Sequence, residues 1–167
     1  RGPDAEVKCL SVKTGAEIWS WPANKTALAG LSGRDFYFIA GRMVVCDSLL
    51  ILDRNTSTSN AVLLALNKKT GAEVWSREHV AWGYGGANPS IVDLGRRKVI
   101  IAGDLVVDAR TGSTLGKWGG IAEWTTTVKG NRVYGIGGRG LACFELADNG
   151  TNVVSTKKWD AEGEKAF

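Results

Sequence analysis

Apolar positions along this chain fall in short runs rich in valine and isoleucine, broken by glycine, aspartate or asparagine. From Asn88 the order is "NPSIVD", "LGRR", "KVIIA", "GD", "LVVDA", "RTG" and "STLGKW". From Trp124 it is "WTTTV", "KGN", "RVYGI", "GGRG", "LACFEL", "DNG" and "NVVSTKKW". Each apolar run reads as a strand and each break as a tight turn. No window of about a dozen residues keeps a helical apolar stripe. The pattern predicts an all-β fold of consecutive antiparallel hairpins.

The chain also repeats itself. "CLSVKTGAEIW" (Cys9 to Trp19) returns as "ALNKKTGAEVW" (Ala65 to Trp75), so that Thr14, Gly15 and Trp19 match Thr70, Gly71 and Trp75. A third copy, "VVDARTGSTLGKW", keeps Thr111 and Gly112 but places Trp118 two residues later. A fourth, ending at Trp159, has Asn149-Gly150 where Thr-Gly stood. The closing tryptophans at 19, 75, 118 and 159 are 56, 43 and 41 residues apart. A period of about 40 to 45 residues is that of one four-stranded propeller blade. The longer first interval is assigned to an insertion, the polar segment Asp53 to Asn60, read as an extended hairpin loop.

The Thr-Gly step suits the reversal between the last two strands of a blade. Glycine supplies a positive φ without steric cost, and the threonine hydroxyl can bond the turn backbone. Gly71→Val is therefore expected to be disruptive. The closing tryptophans are expected to be structural, each burying a large ring against the neighbouring blade.

With these residues in view, "LNKKTGAEVW" and "VVDARTGSTLGKW", preceded by "NPSIVDLGRRKVIIAG", resemble the PQQ-like β-propeller repeat. That repeat has an apolar strand, Ala-Leu-Asp, two variable residues, Thr-Gly, three variable residues and Trp. Ser11 and Asn67 depart from the usual Asp, and the fourth copy lacks the Thr. The resemblance implies four-stranded antiparallel blades over the whole of residues 1–167. A partial blade is expected at 1–22 and full blades at about 30–78, 84–120 and 123–160 by the repeat period. Propellers close with about four to eight blades. The chain is therefore read as a partial propeller of three to four blades, a fragment of a larger one, whose open edges would favour self-association.

The resemblance implies two classes of function. One is a non-catalytic module of the bacterial cell envelope, periplasmic or outer-membrane associated, binding a protein or polysaccharide in the manner of BamB-type proteins. The other, the alternative, is a piece of a quinoprotein dehydrogenase holding pyrroloquinoline quinone and calcium. The adjacent Cys-Cys pair of the best-known dehydrogenases is missing, so the first class is preferred, with no cofactor, no metal and no catalytic residue expected.

Composition narrows this further. The 167 residues are 44% hydrophobic and 23% charged, ordinary for a globular chain. The net charge of +4 comes from 21 Lys and Arg scattered among 17 Asp and Glu, without the basic run of a nucleic-acid partner. No apolar stretch approaches the roughly 18 residues of a membrane span. The first residue is Arg1, which fits a removed leader or an excised piece. Cys9, Cys46 and Cys143 form no metal or disulfide pattern, and sequons stand at Asn24, Asn55 and Asn149.

Other local signals in the chain fit the same strand-and-turn pattern. Gly135, Gly137 and Gly140 have the G-x-G-x-x-G spacing of a dinucleotide loop, but a strand is expected to follow where that loop needs a helix. "GIGGRG" is instead read as a hairpin three residues longer than the preceding "GD" hairpin. "DRNTSTS" alternates oxygen donors, yet lacks the glycine and glutamate of a calcium loop, and is read as a solvated tip. His79 is the only histidine. The surface candidates are Trp82 and Tyr84, among glycines between blades, joined by Trp124 and Arg139 as one wall of a ligand or peptide surface.

Overall fold

The structure, a computed structural model, describes residues 7–21, 43–55, 60–80, 88–119, 125–137 and 140–161. It is all-β: no helix occurs among the described residues. The first sheet pairs β1 (Val7–Leu10) with β2 (Glu17–Trp21). The second is a meander of β3 (Met43–Cys46), β4 (Leu49–Asn55), β5 (Asn60–Asn67) and β6 (Glu73–Val80). The third comprises β7 (Ser90–Asp93), β8 (Lys98–Ala102), β9 (Leu105–Asp108) and β10 (Thr114–Lys117). The fourth comprises β11 (Thr125–Lys129), β12 (Arg132–Gly137), β13 (Gly140–Asp148) and β14 (Val153–Asp160). All neighbours within the sheets are antiparallel.

The core lies between the sheets. In β8, Val99 and Ile101 pack toward the fourth sheet, whereas Ile100 and Ala102 pack toward the second. In β4 and β5, Ile51, Leu63 and Ala65 face the third sheet, and Leu52, Leu64 and Leu66 face the first. Strands covered on both faces need apolar residues at every position, which is why "KVIIA" and "VLLAL" run without alternation. Each fully buried side chain of this size contributes about 1.5–3 kcal/mol. The first strands converge, β7 touching both β3 and β11, and the Ser90 and Thr126 hydroxyls meet at 2.5 Å.

Each repeated motif has a definite place. Gly15, Gly71 and Gly112 all take positive φ, of 71°, 72° and 69°. Their amides donate back to the carbonyls of Ser11, Asn67 and Asp108. The side chains of those same three residues accept from the turn amides, so Ser, Asn and Asp serve one purpose there.

The tryptophans close one sheet onto the next. The Trp19 ring covers Gly71, and its Nε1 donates to the Lys68 carbonyl at 3.1 Å. Trp75 covers Gly112 and donates to the Ala109 carbonyl at 3.1 Å. Across the strand pair, Trp19, Trp75 and Trp159 face Cys9, Ala65 and Cys143, each beside a bulge. In the third repeat Gly116 takes that position opposite Val106. Trp118, two residues on, is fully buried, bonded to the Gly103 carbonyl and edge-on to Phe144.

Trp159 stands apart, 44% exposed and tilted against Tyr134. Trp159→Ala should therefore lower stability by only about 1 kcal/mol, against about 3–5 for a buried tryptophan. Urea unfolding of the two kinds of variant would check this, and an equal loss would contradict it.

The glycine-rich segment is a hairpin. A strand, β13, follows Gly137, and Gly135 lies under the Trp118 ring, where a Cβ would come within 2.6 Å of it. Its length needs correcting, however. Val133 pairs with Phe144, and Val99 pairs with Asp108 rather than Val107. The separations are thus 11 and 9, a difference of two and not three. Gly137 pairs with Gly140 and Ala102 with Leu105, so both hairpins turn over two residues, and such a hairpin lengthens only by whole rungs.

Asp53, expected at a solvated hairpin tip, is not in a loop: β4 runs to Asn55, and Asp53 is buried within it, 4% exposed. The reason is His79, opposite Ala61 on β6, whose Nε2 reaches the Asp53 carboxylate at 2.9 Å.

Candidate functional site

In a four-stranded meander, the turns joining strands one to two and three to four emerge at the same end. Between the second and third sheets, those turns enclose a cleft of about 610 Å³. One wall is the β3–β4 turn, Asp47 and Ser48, and the opposite wall is the β7–β8 turn with Arg96 and Arg97. Lys98 and the β9–β10 turn with Asp108 and Arg110 complete it.

The walls are built by ion pairs. Arg97 donates from Nε to Asp148 at 2.9 Å and from its terminal nitrogen to the Gly150 carbonyl at 2.8 Å, tying the third sheet to the fourth. The Gly150 amide, aided by Arg97 against the effect of burial, holds the Asp148 carboxyl below its ordinary range. Lys98 reaches Asp47 at 2.5 Å, which raises the lysine above its ordinary value. Lys68 donates to the Asp47 carbonyl at 2.5 Å. Asp47 itself has φ of 51°, whereas the corresponding turn of the fourth sheet uses Gly130 at 61°. An aspartate thus occupies a left-handed position suited to glycine, held there by two lysines. Cys46 lines the floor, and burial, with Asp47 beside it, pushes its thiol upward. That disfavours the nucleophilic thiolate.

At the Asp53–His79 pair, both partners are almost wholly enclosed, 4% and 3% exposed. His79 Nδ1 faces the Val80 carbonyl at 3.1 Å while Nε2 faces the carboxylate. Both neighbours only accept, so the geometry suits a doubly protonated ring. Burial opposes that charge, but the bond and charge of Asp53 outweigh it, and the imidazole is raised above its ordinary value.

Over 96% of its length the chain matches the crystal structure of BamB from Moraxella catarrhalis, with a TM-score of 0.54 and 18% sequence identity. The fold is that of a β-propeller. The match spans 54% of that BamB chain, so this chain corresponds to about half of its length. No family model matches the sequence, nor does any curated protein.

Within the propeller, the sequence-derived surface candidates Trp82, Tyr84, Trp124 and Arg139 lie outside the described residues. The repeat residues Thr14, Thr70 and Thr111 bond the amides two residues on, and Gly150 takes the fourth turn with φ of 96°. Sequence reasoning did not bring forward Arg96, Arg97 and Lys98. Their signal was the "GRRK" run in a turn, but only the tertiary fold sets it opposite Asp47 and Asp148. No group of three or more metal-ligating side chains occurs among the described residues, and no described helix is long and apolar enough to cross a membrane.

Proposed function

We propose that this chain is a non-catalytic propeller module that binds a protein or polysaccharide partner in the bacterial cell envelope, periplasmic or outer-membrane associated. The observation that carries the reading is the fold likeness to BamB across 96% of the chain. The charged cleft between the second and third sheets is consistent with it, because turns on a rigid scaffold suit recognition. Open blade edges would also allow self-association.

The test is capture of envelope components on the immobilised chain. A defined protein or polysaccharide recovered repeatedly above bare resin is expected, and recovery of nothing beyond background would overturn the reading. Added pyrroloquinoline quinone with calcium should leave the thermal midpoint unchanged. A quinone absorbance bound to the chain would favour the dehydrogenase alternative instead.

A further inference from the structure

The residue immediately before each Thr-Gly step is basic in three successive repeats: Lys13, Lys69 and Arg110. The repeat geometry therefore presents one cation per sheet at the same turn, and all three are exposed. Arg96 adds a fourth from the neighbouring turn on the cleft wall. Lys13, Lys69 and Arg110 have no side-chain hydrogen bond or ion pair among the described residues, and Arg96 acts only at longer range on Asp148, a terminal nitrogen lying beside Gly150. Other cations at this end are neutralised: Arg97 by Asp148, and Lys98 by Asp47. Among the described residues these four form a row of positive charge without a direct ion pair, running around one end of the propeller into the cleft.

The geometry points to this turn end as the docking surface for an extended acidic segment of a partner protein, its carboxylates meeting Lys13, Lys69, Arg110 and Arg96. This deepens the binding-scaffold reading and rests on it. Arginine pairs well with carboxylates, and a row of separated cations fits an extended chain carrying several of them. Asp47, Asp93 and Asp108 lie among these cations and repel carboxylate and phosphate alike, so the surface suits acidic side chains spaced to meet the cations rather than a continuous phosphate track.

The experiment measures binding of a labelled hexaglutamate peptide to the whole chain by anisotropy, with Arg110→Glu and Lys117→Glu as variants. These change net charge equally, but Lys117 lies at the other end of β10, beside Asp104. Arg110→Glu should weaken binding about tenfold with an unchanged thermal midpoint, and Lys117→Glu less than about twofold with a midpoint slightly lowered by loss of its pair with Asp104. Raising salt from about 50 to 200 mM should weaken the wild-type interaction. The proposal fails if hexaglutamate does not bind at low salt, if both variants weaken it equally, or if an oligonucleotide or polyuronate of equal charge binds more tightly. Envelope capture separates the two levels. A partner held equally by wild type and Arg110→Glu sinks the docking row and spares the scaffold, whereas peptide binding without any envelope partner does the reverse.

Discussion

Gly112→Val should be among the most damaging single substitutions in this chain, costing about 3–4 kcal/mol. Two effects combine. An L-residue forced to the φ of 69° found at Gly112 loses about 1–2 kcal/mol. A Cβ there would also lie 2.6 Å from the Trp75 ring, and overpacking of that kind costs about 1–3 kcal/mol. Gly15 separates the two contributions, since its φ is 71° but nothing lies within 4 Å of its Cβ position. Gly15→Val should therefore lose only about 1–2 kcal/mol. The readout is the urea midpoint of each variant. Equal losses would mean that the glycine is needed for the turn alone and that the tryptophan contact contributes nothing.

Asp53→Ala carries the second large expectation, a loss of about 3 kcal/mol, because it strands a buried imidazole beside an empty site. Asp53→Asn should lose less, as its amide oxygen still accepts from neutral His79. The pH dependence gives a finer check. His79 is raised in the folded state by Asp53 despite burial, with Asp104 adding to the pull. Its stabilisation is thus complete below the unfolded value of 6.5 and fades as pH rises through the raised folded value. Asp148 and Glu145 are lowered, and their contribution is present above their ordinary values of 3.8 and 4.5 and lost as pH falls. Maximum stability is expected between about pH 5 and 6.5. In Asp53→Asn the decline on the alkaline side should flatten. A wild-type chain whose stability rises steadily from pH 6 to 8 would contradict this account of His79.

The Thr-Gly turns and the strands around them were legible because they are local: a glycine with positive φ, an Asx or serine acceptor, and an apolar run act within a few residues. The repeat made their spacing legible as blades. Asp53 was misread for the opposite reason. A carboxylate beside Arg54 and Asn55 has the composition of a loop, and its partner His79 lies 26 residues away. No local pattern announces such a pair.

The sequence by itself determined the all-β class, the positions of most hairpins and the repeating motif, since each follows from side-chain period, turn chemistry and self-similarity. Only the tertiary structure decided that Gly71 and Gly112 lie beneath the preceding repeat's tryptophan, that Asp53 is a core residue, and that Arg97 ties the third sheet to the fourth. Those facts depend on how separate sheets stack. Stacking is set by contacts between residues tens of positions apart, which a one-dimensional pattern does not encode.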